Sequence, residues 1–110
     1  MNNGWIGFDL DGTLAKYTTW NGPTVIGEPI KPMVDLLQAY IAQGVKVKIF
    51  TARVASSNED KDIARKAIEK WCIVNIGYII PVTAEKDFGM IALYDDRCIH
   101  VQLNTGGILG

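Results

Sequence analysis

Asp9 and Asp11 in FDLDGT, and Asp95 and Asp96 in LYDDR, are the residues whose type and spacing point first to chemistry. The run WIGF at 5–8 has the length and character of a buried strand, so Asp9 and Asp11 stand at or just past its carboxyl end. IALYDD at 91–96 reads as another strand, again ending in two acids. In a parallel α/β sheet that edge is where ligands bind. If the two strands are neighbours, four carboxylates converge, and like charges that close raise one another's pKa unless a cation neutralises them. Hard oxygen ligands in small number suit Mg2+, which keeps waters and shares its shell with a phosphate. Either pair alone also fits solvated loop-end aspartates or helix caps, but two pairs at two strand ends argue against coincidence. A calcium loop fits poorly: Gly12 follows Asp9 too early, and Trp20 stands where the twelfth-position glutamate belongs.

Two further positions complete a phosphate site. Thr51 follows the strand-like run VKVKIF at 45–50, so its hydroxyl and the N–H of Ala52 can donate to an oxyanion at the same edge. Lys86, after YIIPVT at 78–83, supplies a positive charge for the acids and the phosphate. Arg53 either holds a substrate phosphate bidentately or pairs with a local acid. Arg97 reads as orienting the neighbouring acids. His100 reads as a structural or surface histidine, since no serine or cysteine has the context of a nucleophile.

The elements that must position these residues alternate. Pro32 suits a first helical position, and Met33, Leu36, Leu37, Tyr40 and Ile41 recur at helical spacing before Gly44. A second helix is signalled by the capping-box spacing of Ser56 and Glu59, with Ile63, Ala67, Ile68 and Trp71 as its buried stripe. Pro81 argues that the third strand lies at an edge. CIHVQL at 98–103 reads as a fifth strand and NTGGILG as a tail. Strands alternating with helices mean a parallel-sheet α/β domain. With 110 residues, 48% hydrophobic and 21% charged, one domain is expected, and a net charge of −1 gives no general attraction to polyanions. No basic leader or apolar run of membrane-spanning length stands out, Cys72 reads as core, and Cys72 with Cys98 makes no disulfide framework, so a cytoplasmic protein without a membrane partner is expected.

DLDGT, Thr51 after a hydrophobic strand, Lys86 and the DD of the fourth strand together resemble, in order, the four motifs of the haloacid dehalogenase (HAD) superfamily of phosphohydrolases. The resemblance implies a three-layer Rossmann-like core with sheet order 5-4-1-2-3. It implies that Asp9 is the nucleophile, forming an aspartyl-phosphate, and that Asp11 is the general acid and base. Metal would be held by the side chain of Asp9, the backbone carbonyl of Asp11 and Asp95, with Asp96 in the outer shell. Gly12, Thr51, Ala52, Arg53 and Lys86 would contact the phosphate. An aspartate at position 11 favours phosphatase over the ATPase, phosphonatase and dehalogenase branches.

Substrate choice is less marked. Residues 14 to 31 leave room only for a flap, as in the minimal capless type of that superfamily. An open site takes a large substrate, such as a nucleic-acid end or a phosphoprotein, or borrows a lid from a second subunit of a homo-oligomer. Tyr17, Trp20 and Val25 of the flap either stack on a base or cover the core. The expected substrate is a phosphomonoester, with a nucleotide or polynucleotide end favoured and a small sugar phosphate as the alternative. The rival from another class is a non-catalytic phosphate- or metal-binding regulatory module.

Overall fold

The computed structural model describes residues 3–109. Its elements run β1 (Trp5–Asp9), α1 (Lys31–Ala42), β2 (Lys46–Phe50), a 3-10 turn (Ala52–Val54), α2 (Lys61–Asn75), β3 (Val82–Thr83) and β4 (Met90–Tyr94). The strands form one all-parallel sheet in the order β3-β2-β1-β4. Central β1 has Phe8 opposite Ile49 on one side and Tyr94 on the other, so the carboxyl ends of β1 and β4 lie side by side. That is the α/β parallel-sheet class expected.

Alternation along the strands sends Ile6, Phe8, Val47 and Ile49 into a single core with Val34 and Leu37 of α1 and Ile68, Trp71 and Cys72 of α2. Two crossovers stepping the same way across a sheet, each right-handed, put both helices on one face. Pro32 occupies the first turn of α1, where a missing N–H leaves nothing unpaired. Tyr40 of α1 shares a 2.7 Å hydroxyl hydrogen bond with Tyr94, whose ring stacks on Phe8 at 4.8 Å. The helix is thereby tied to the strand that carries the second acid pair.

Several expectations are corrected. The far face of the sheet carries no helical third layer among the described residues, because residues 84–89 alone connect β3 to β4. This loop covers Trp5 instead: Trp5 N donates to Gly89 O at 2.8 Å and Trp5 Nε1 to Asp87 Oδ1 at 2.9 Å, while Lys48 Nζ lies 4.6 Å from the ring centroid. Residues 98–103 do not form a fifth strand, so the order is 4-1-2-3 without it. Val101 pairs antiparallel with Ile108, supported by Gln102 N to Gly107 O at 2.7 Å and Leu109 N to His100 O at 2.8 Å. Turn chemistry wins over strand propensity there, with Asn104 at φ 63° reversing the chain. The third strand shrinks to Val82–Thr83, with Pro81 just outside it on the edge, its carbonyl accepting from Ile49 N at 2.8 Å.

Ser56 and Glu59 do not make the expected capping box. α2 starts later, at Lys61, and Asn58 organises the approach, its Oδ1 accepting from Asp60 N at 3.0 Å and its Nδ2 donating to Arg53 O at 2.7 Å. The buried stripe becomes Ala64, Ile68, Trp71 and Cys72, leaving Ile63 exposed. No described helix is long and apolar enough to cross a membrane.

The flap leaves the sheet edge after Leu14 and returns to α1. Its base is closed by an Ala15–Pro29 bridge and by Lys16 N donating to Glu28 O at 2.8 Å, and Trp71 Nε1 anchors it to α2 through Gly27 O at 2.9 Å. A Cβ at Gly27 would fall 1.9 Å from Lys16 O, a backbone atom that cannot step aside. Gly27→Ala is therefore predicted to lower the urea unfolding midpoint, by about 1–3 kcal/mol of stability at unchanged m-value, as overpacking does.

Candidate functional site

Asp9 ends β1, and Asp95 and Asp96 directly follow β4. Parallel pairing of the two strands brings the three side chains together, one carboxylate oxygen of each lying within 4.8 Å of the others. Thr13, buried beneath them, links the two strand ends. Its hydroxyl accepts from Asp96 N at 3.2 Å and shares its proton between Asp96 Oδ1 at 3.4 Å and Asp9 Oδ2 at 3.5 Å. Gly12 allows this closeness: it has φ +90°, and a Cβ there would stand 2.6 Å from Asp96 Oδ2.

Crowding shows in the electrostatics. The Asp9 carboxyl is pushed up from 3.8 to about 7, first by burial, then by the Asp96 side-chain hydrogen bond and the charges of Asp95 and Asp96. As a donor set the cluster fits a hard divalent cation. Around one octahedral Mg2+ neighbouring ligand oxygens stand about 3 Å apart and opposite ones about 4.2 Å, so the three side chains would draw closer together on binding one ion.

The opposite wall is built by the turn after β2. Thr51 is buried, with Oγ1 accepting from Arg53 N at 3.2 Å, so its own proton remains available. The Arg53 guanidinium faces Asp11: Nε donates to Oδ2 and Nη2 to Oδ1, both at 2.9 Å. Nη2 also reaches Val25 O at 2.9 Å and Nη1 reaches Pro23 O at 3.2 Å, so four of the five guanidinium N–H groups are committed to Asp11 and the flap. Of the two roles open to Arg53, the structure has the pair with a local acid.

A cavity of about 380 Å3 lies between the walls. Asp9, Asp11, Thr51, Ala52 and Arg53 line it together with Asp95 and Asp96, so seven of the expected residues meet there, with Gly12 behind Asp96. The carboxylate of Asp11 belongs to Arg53 rather than to the three-acid cluster. Lys86 is not on the cavity wall. It is exposed and makes no hydrogen bond or ion pair among the described residues, although it stands near enough to Cys98 to oppose the rise of that thiol's pKa, which desolvation and then Asp95 cause.

Thr13 and Asn58 are contributors that sequence reasoning passed over. Thr13 was in view as the last residue of the DGT signature, whereas Asn58 gave no signal beyond its place in a turn. Arg97, expected to orient the acids, touches Asp95 Oδ1 only through its backbone N–H, at 2.9 Å, while its side chain lines the cavity. Comparison of the chain with protein-family models, with curated proteins and with solved structures found no match.

Two outcomes follow from this geometry. Arg53→Leu leaves Asp11 unpaired and two flap carbonyls without donors, so it should destabilise the protein by about 3 kcal/mol or more and open the flap to limited proteolysis, while Arg53→Lys loses less. The folded-state pKa of Asp9 lies above its ordinary value, so its contribution to stability is fully present below pH 3.8 and is lost as pH rises through about 7. In metal-free buffer, Asp9→Asn should therefore raise the thermal midpoint at pH 8 relative to wild type and shrink the difference between pH 5 and pH 8.

Proposed function

We propose that this chain is a Mg2+-dependent phosphomonoester hydrolase working through an aspartyl-phosphate on Asp9. The observation that carries the reading is the convergence of Asp9, Asp95 and Asp96 at the carboxyl edge of a parallel sheet, across a cavity from the Thr51 hydroxyl. The resemblance of four sequence motifs to HAD phosphohydrolases points the same way, and the observed order β4-β1-β2-β3 agrees with the corresponding part of that superfamily's sheet.

Asp9, Asp95 and Asp96 would hold the cation, which when bound supplies the positive charge that keeps Asp9 ionised near neutral pH and draws in the phosphate. An Asp9 oxygen attacks phosphorus as the bond to the leaving oxygen breaks, and that oxygen takes a proton from Asp11. Water then attacks the phosphorus of the acyl phosphate, giving its proton to Asp11 and releasing phosphate with Asp9 restored. Arg53 fixes the direction in which Asp11 faces. Thr51 and the Ala52 N–H donate to the phosphoryl oxygens. Lys86, exposed and without a hydrogen bond or ion pair among the described residues, would serve as a cation from outside the cavity, and Arg97 as a second on its wall.

A second reading, binding of cation and phosphate without turnover, is favoured by one feature: both Asp11 oxygens are already taken by Arg53. Hydrolysis of an aryl phosphate separates the two. Turnover that requires Mg2+, stops with a chelator, and falls at least about 10³-fold in Asp9→Asn and about 10²–10⁴-fold in Asp11→Asn is the expected result. Mg2+ binding without turnover of any phosphomonoester would establish the binding module instead.

A further inference from the structure

We propose that Trp20 is a platform for a planar aromatic base carried by the leaving group, so that the site takes nucleoside monophosphates in preference to sugar or polyol phosphates; this rests on the phosphomonoesterase reading. Arg53 Cζ lies 4.7 Å from the centroid of the Trp20 ring. The guanidinium is itself buried and fixed by Asp11 and two flap carbonyls, so the ring has a rigid cation against one face. Cation–π attraction is strongest when the cation is desolvated, as here.

Despite that anchoring, Trp20 is 52% exposed, whereas Trp5 and Trp71 are 3% and 8% exposed. Those two fill the interior; Trp20 does not. Arg53 lies over the ring while half of the residue stays open. Trp20 and Tyr17 bound the same cavity as Asp9, so a phosphate at Asp9 has the flap aromatics within the space open to its leaving group. At about 380 Å3 the cavity has the size of a small-molecule site. Stacking on an indole face suits any base, while a sugar or polyol offers no π face.

The test compares wild type, Trp20→Leu and Trp20→Phe, each first shown to keep its unfolding midpoint. The kcat/KM ratio for adenosine monophosphate over glycerol phosphate, measured with Mg2+, should favour the nucleotide in wild type, fall about tenfold in Trp20→Leu, and recover largely in Trp20→Phe. Adenosine alone should also quench a part of the tryptophan emission that is absent from Trp20→Phe. An unchanged ratio across the three proteins, or a wild-type preference for glycerol phosphate, overturns the platform and leaves the hydrolase standing. If neither ester is hydrolysed the hydrolase reading falls, and the quenching then decides the platform: specific quenching keeps it, and none removes it.

Discussion

Like charges are forced together at the end of β1. The parallel pairing of β1 with β4 places Asp9 beside Asp95 and Asp96 whatever their mutual repulsion, because the register is set by Phe8, Tyr94 and Tyr40 packing beneath. Hydrophobic burial thus holds an electrostatically unfavourable arrangement, and a proton on Asp9 relieves part of it. A divalent cation would relieve more. Gly12 and Thr13 belong to the same constraint, the first by leaving room for the Asp96 carboxylate and the second by bridging the two strand ends.

The remaining carboxylate of the edge is handled differently. Asp11 is compensated within the chain, by a buried arginine whose other donors hold the flap. One guanidinium therefore joins three things: the direction of Asp11, the closed position of residues 23–25, and the plane of the Trp20 ring. The 3-10 turn that carries Arg53 also presents Thr51 and is braced from below by Asn58. Flap and chemistry are coupled through this turn rather than through the acid cluster.

Much of this was legible in the sequence, and the parts that were not share a cause. Short apolar runs ending in acids announce buried strands and the ligand edge, and the two long helices follow from apolar spacing, Pro32 and Gly44. The fifth strand failed because CIHVQL has strand propensity while NTGG has the turn residues to fold it back on ILG, and local turn geometry outweighed distant pairing. The start of α2 failed because Ser56 and Glu59 have the right spacing but Asn58 makes the bonds. Arg53 was ambiguous because its partner is 42 positions away, a distance at which no pattern of residue types reports contact. The missing third layer follows from the six residues between β3 and β4, too few for a helix that also crosses the sheet.

The most direct measurement is a calorimetric titration of the protein with Mg2+ at pH 6.5 and pH 8.5, in buffers of different ionisation enthalpy, for wild type and Asp9→Asn. An Asp9 carboxyl at about 7 must lose its proton to the buffer when the cation binds, so wild type should bind one Mg2+ with release of a large fraction of a proton at the lower pH and almost none at the higher. Asp9→Asn should bind more weakly and release none. No saturable binding at millimolar Mg2+, or binding that is the same in Asp9→Asn, would contradict the account.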